Sequence, residues 1–139
     1  MKGKNLFQLN GQDLVEYALI LPIMMILIVV IIDLGMYMFF YSTLTHVSRE
    51  GARYGVVHLC DDTGIETAAK GKAFGINPDN IIFDITWNPD NCIPDAFGST
   101  ILTVAAESGF EPITEDLLLG SSPFNIVITT TMYVESFMP

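Results

Sequence analysis

"LNGQDLVEYALILPIMMILIVVIIDLGMYMFF", residues 9–40, decides how this chain is built. From Tyr17 to Phe40 the only ionisable side chain besides tyrosine phenols is Asp33. A helix of that length, rising about 1.5 Å per residue, reaches about 36 Å, enough for a hydrocarbon core of about 30 Å. The stretch therefore predicts one membrane-spanning helix over residues 17–40. Gly11 and Glu16 stand at its mouth. Glu16 is costly so near hydrocarbon unless it is paired or hydrated, and Asp33 deeper in the run is costlier still. Such groups usually face a protein partner or water, and the neighbouring Gly35 lets another helix approach closely, so Asp33 and Gly35 predict a helix-packing face. The plainer alternative sets Asp33 at the outer headgroup boundary. Pro22 removes a backbone hydrogen bond and clashes with the preceding turn, which predicts a kink or a loosened turn. Membrane helices tolerate proline, so Pro22 alone does not choose between a functional and a neutral role.

Outward from the run, the N-terminal side carries Lys2 and Lys4 and the C-terminal side Arg49 and Arg53, so the positive-inside count ties. A short Lys-bearing start before an apolar run reads as a targeting segment with the N-terminus in the cytoplasm. In a common secretory signal the cleavage site follows the apolar region, and the region is discarded. Here the order is reversed. A cut after Gly11 would remove "MKGKNLFQLNG" and keep the hydrophobic helix in the product.

The residues from Gly11 read G-x-x-x-x-E-Y, followed by an apolar run containing Pro22. The longer stretch "GQDLVEYALILPIMMILIVVIIDLGMYMFFYSTLTHVSREGARYG", residues 11–55, resembles the signature segment of TadE-like (TadE/TadG) pilus-assembly proteins, pseudopilins of the Flp/Tad branch of type IV pilins. The shared features are V-E-Y-A-L-I-L-P, an acidic residue and a glycine near the end of the apolar run, and R-E-G-A-R. The resemblance implies a prepilin peptidase that cuts between Gly11 and Gln12, in a processing site that also includes Glu16 and Tyr17. It also implies that the Glu16 carboxylate neutralises the new amine of Gln12 on a neighbouring subunit. Helix packing through Glu16, Pro22, Asp33 and Gly35 would place the chain among other pilin or pseudopilin subunits and an inner-membrane assembly platform. The alternative is an uncleaved signal anchor with Glu16 hydrated in the headgroup layer and an acidic, partner-binding head outside the membrane.

Beyond the run the helix continues. Leu44, Val47, Gly51 and Tyr54 share one face, and His46, Arg49, Glu50 and Arg53 another, the pattern of an amphipathic helix that ends near "YGVV". The chain thus divides into a leader (1–11), an N-terminal helix (12–56) and an extracytoplasmic head (57–139). In the head, "GIETAAKGKAFG" (64–75) predicts a short helix. Two copies of "NPDN", at 77–80 and 88–91, are turn chemistry bracketing a strand in which Ile81, Phe83, Ile85 and Trp87 alternate with Ile82, Asp84 and Thr86. "FNIVITTTMYVES" (124–136) predicts a second strand by its β-branched density, and the two are expected to pair. Between them "STILTVAAES" reads equally as strand or short helix. The expectation is an α+β fold, a long transmembrane spine carrying a small antiparallel sheet and a short helix.

Composition excludes several functions. From residue 54 onward Lys70 and Lys72 stand against twelve acids, a surface that repels phosphates, so no nucleic-acid partner is expected. His46 and His58 do not form H-E-x-x-H, Cys60 and Cys92 do not form C-x-x-C, and Ser48 lacks a nucleophile elbow. The local group His58, Cys60, Asp61 and Asp62 reads as helix-end residues, and Asp79, Asp84 and Asp90 as turn and strand-face acids without an EF-hand pattern. No metal, cofactor or catalytic residue is expected. Cys60 and Cys92 would close one loop on an oxidising side of the membrane or remain two thiols. The reading is a non-enzymatic subunit in the cytoplasmic membrane, in contact with lipid and possessing a route into an extracellular pilus.

Overall fold

The computed structural model describes residues 11–88, 100–114 and 124–134. The leader before Gly11, the second "NPDN" turn past Asn88, and Cys92 lie outside these residues, and with Cys92 the proposed disulfide. Helix α1 (Gly11–Val57) is a single α-helix of 47 residues that continues through Pro22. At about 1.5 Å per residue it is about 70 Å long. Its end matches the predicted one. A tight turn follows, with Cys60 exposed and in the left-handed region (φ 63°).

Helix α2 (Asp62–Lys70) starts two residues earlier than the glycine-bracketed reading. The cause is Asp61, whose Oδ1 accepts the Gly64 N–H at 2.9 Å and so satisfies an otherwise unpaired donor of the first turn. The helix stops at Lys70, and residues 71–76 form turns instead of a further helical turn. The first "NPDN" does form a turn. Asn77 Oδ1 accepts the Asp79 N–H at 3.1 Å and Pro78–Asn80 is a single 3₁₀ turn.

Three antiparallel strands complete the head, β1 (Ile82–Asn88), β2 (Thr100–Phe110) and β3 (Phe124–Val134), in the order β1-β2-β3. The expected pairing of the first and last strands is not made, because the ambiguous segment is a strand and lies between them. Ile85 stands opposite Val104, and Val104 opposite Thr130. Every second residue of β2, from Thr100 to Phe110, is buried. That inner row is Thr100, Leu102, Val104, Ala106, Ser108 and Phe110. With two hydroxyls and an alanine in it, the period-two apolar signal is blurred although the burial period is strict.

α1 packs across β2 and β3 and against α2. Toward the end of the sheet where β2 meets the start of β3, Leu44 and Val47 pack with Ala106, Phe110 and Ile126. Toward the other end, Ala52 and Ile65 pack with Trp87, Leu102 and Val104. The predicted faces of α1 are the observed ones here, with Leu44 and Val47 fully buried and Arg49 and Arg53 exposed. Ser48, also fully buried, ties helix to sheet. Its hydroxyl donates to the Val104 carbonyl at 2.8 Å and is hydrogen-bonded to Thr130 Oγ1 at 2.8 Å. Trp87 Nε1–H donates to Asp62 Oδ1 at 2.9 Å, which fixes the start of α2 over β1.

Candidate functional site

Among the described residues, the first half of α1 is bare of packing. From Asp13 to Ile32 every residue except Val29 is exposed, and 6 % of the most apolar 18-residue stretch is buried. A helix in the core of a soluble domain would show the reverse. An apolar surface this continuous marks contact with lipid or with other protein, and the helix is long and apolar enough to cross a membrane.

The residues of the predicted processing site sit at the free end of this rod. Gly11 begins α1 and is exposed, as are Glu16 and Tyr17, and Gln12 lies in the first helical turn. Among the described residues Glu16 has neither a hydrogen-bond nor an ionic partner. Gly35 likewise faces open space: a Cβ built there would meet nothing within 4 Å. Pro22 is exposed inside the bare segment.

Asp33 is different. It is 7 % exposed, and its two carboxylate oxygens accept consecutive backbone N–H groups from the far side of the chain. Oδ1 accepts from Ile113 at 2.9 Å and Oδ2 from Thr114 at 2.8 Å. Charge-assisted bonds of this kind are stronger than neutral ones, and here they fasten the segment leaving β2 to α1. Above this clamp the rings of Tyr37 and Phe40 meet Phe110 edge-on, at 5.9 Å and 5.2 Å between centroids. The head therefore reaches down the helix to Asp33, into the part of the apolar run that sequence assigned to the span. An apolar cleft of about 600 Å³ opens at the same level, between Val30, Leu34 and Tyr37 on α1 and Phe124, Ile126 and Val127 on β3. Sequence reading found Asp33 but not Ile113 and Thr114. The clamp uses main-chain donors from the other end of the fold, and main-chain donors leave no mark in the amino-acid code.

At the opposite end of the head, the "REGARYG" segment is explained by packing. Gly51, Ala52 and Gly55 are buried. A Cβ on Gly51 would come to 3.2 Å from Ala69 Cβ, and one on Gly55 would collide with the side chains of Leu102 and Ile65. The motif is where α1 approaches α2 and β2 most closely. Tyr54 Oη donates to Asp61 Oδ2 at 3.1 Å and its ring stacks on His58 at 4.2 Å. The Gly64 N–H first, and then the Thr63 hydroxyl, hold the Asp61 carboxyl below the usual carboxylate range. Asp61 and Asp62 thus serve the turn and the helix start. Among the described residues no group of three His, Cys, Asp or Glu side chains is placed to hold a metal ion.

No curated protein and no solved structure matches the chain. A family model does: the one described as TadE-like protein matches residues 11–53, from the glycine that begins α1 to the arginine of the buried Gly51–Ala52 pair. That match covers the bare rod, Asp33 and most of the head-packing motif, and it supports a membrane location and a part in Tad pilus assembly alongside other pilus components. Over residues 11–53, most of its N-terminal helix, the chain is similar to the TadE-like family.

Proposed function

We propose that this protein is a pseudopilin or minor pilin of a Tad-type assembly, cut after Gly11 by a prepilin peptidase and then packed through α1 among other pilin subunits. In this reading it has no catalytic activity. The observation that carries it is the exposed Glu16, without a partner among the described residues, at the start of a bare apolar helix. A carboxylate so placed gains a partner if the cut creates an amine at Gln12 on a neighbouring subunit, since an opposite charge offsets the desolvation that packing imposes. The family match beginning at Gly11 adds support. The N-terminus lies on the cytoplasmic side, the peptidase acts at that surface, and the head stands beyond the membrane. Mass spectrometry of the protein from cells with an active prepilin peptidase tests the reading. A chain that begins at Gln12 is expected; an intact Met1 would overturn the pilin assignment in favour of an uncleaved anchor with an acidic, partner-binding head.

A further inference from the structure

We infer that the base of the head is a lipid-binding footing: the cleft beside Asp33 takes acyl chains of the outer leaflet, and the exposed Val127, Phe124 and Ile113 around it rest in the interfacial layer. The inference depends on the membrane-spanning reading of α1 and adds a second, non-helical contact with the bilayer.

Length places the cleft. A hydrocarbon core of about 30 Å takes about 20 residues of helix, so a span that enters at Glu16 leaves at about residue 36. The cleft is lined on its helix side by Val30, Leu34 and Tyr37, which straddle that exit. Its other wall is the start of β3, where Phe124 and Val127 are 57 % and 54 % exposed. Ile113, beside the Asp33 clamp, is 52 % exposed. Among the described residues these side chains carry the apolar surface of the bare helix onto the head. Such continuity is what a bilayer boundary crossing the junction would select.

Charge chooses the kind of lipid. Among the described residues neither Lys nor Arg lines the cleft, and the one ionisable group besides tyrosine is Asp33, both of whose oxygens are occupied. An anionic headgroup would find no counter-charge there, so the occupant is the hydrocarbon of a zwitterionic or neutral lipid. The clamp has a further role in this setting. By accepting two N–H groups, Asp33 satisfies backbone donors that would otherwise meet the edge of the hydrocarbon unpaired.

Fluorescence quenching in phosphatidylcholine vesicles tests the footing with the full chain. The protein has a single tryptophan, Trp87, buried at the far end of the sheet, which supplies a constant background. Added tryptophans at exposed positions, Val127→Trp, Tyr133→Trp and Leu27→Trp, report three depths, with thermal melts to confirm that each variant folds. A nitroxide near the top of the acyl chain is expected to quench the emission added by Val127→Trp and leave that of Tyr133→Trp, about 20 Å farther along β3, unchanged. A nitroxide deep in the chain is expected to quench Leu27→Trp. If Leu27→Trp is quenched and Val127→Trp behaves as Tyr133→Trp does, the footing is wrong while the span stands. Absence of quenching at Leu27→Trp would remove the span itself, and the footing with it. A Val127→Trp signal shielded from lipid by a second copy of the chain, seen as crosslinking at this position, would also overturn the lipid assignment.

Discussion

Asp33 shows how one carboxylate can be legible as an anomaly and illegible as a contact. Its position in an apolar run announces that something must compensate its charge. What compensates it is a pair of main-chain donors contributed by Ile113 and Thr114, 80 and 81 residues later in the sequence. The bonds make a simple prediction. Asp33→Asn keeps one acceptor oxygen and presents an NH₂ group where the second was, so one of the two N–H groups loses its partner. Hydrogen exchange in vesicles should then accelerate at the Ile113 and Thr114 amides and leave those of α2 unchanged. Equal protection in both proteins would show that the clamp contributes nothing to holding the base of the head. Glu16 has the opposite character, since its residue type and place were readable from the sequence and the described residues give it no partner.

Among the elements, α1 and the two outer strands were visible in the pattern because each shows a long or strict periodicity. β2 was not, and the reason is chemical. Its inner row mixes Thr100, Ala106 and Ser108 with Leu102, Val104 and Phe110, so burial follows a period of two while hydropathy does not. Smallness on that row lets α1 approach, as Ser48 and the glycines of α1 do from the other side. Gly51 and Gly55 give this approach a measurable form. In a helix, alanine gains about 1 kcal/mol over glycine, and overpacking a filled core costs about 1–3 kcal/mol. At Gly51 a Cβ meets Ala69 at 3.2 Å, a contact that a small shift relieves, so Gly51→Ala should be near neutral. At Gly55 the same atom comes closer still, to the side chains of Leu102 and Ile65, both fully buried. Gly55→Ala should therefore lower the melting temperature of the head by more than Gly51→Ala does, and a reversed order would contradict the packing described here.

For the whole molecule, sequence pattern anticipated a long apolar spine and a small α+β head, and it anticipated which face of the spine the head would take. It did not anticipate how far down the spine the head sits. Hydropathy measures a preference for an apolar setting and does not distinguish lipid from Phe110, so residues 33–40 read as span although the Tyr37 and Phe40 rings pack against the head. At this scale the pairing role of Glu16 is open to test. Glu16→Ala is expected to leave cleavage after Gly11 largely intact and to reduce incorporation into filaments, as judged by sheared-pilus fractions compared with membrane fractions. Normal incorporation of the mutant would remove the charge-pairing role.

The seating of the head on the helix also has a mechanical meaning. The head grips α1 from the Asp33 clamp up to the buried Gly55, while the segment from Gly11 to Ile32 projects from that grip as part of the same α-helix. Packed interiors resist compression and transmit strain, so a pull on the head reaches the rod as shear spread over about 33 Å of helix. Force that draws such a subunit out of a bilayer would pass along hydrogen-bonded backbone and interdigitated side chains, and the sheet would never be asked to unzip strand by strand.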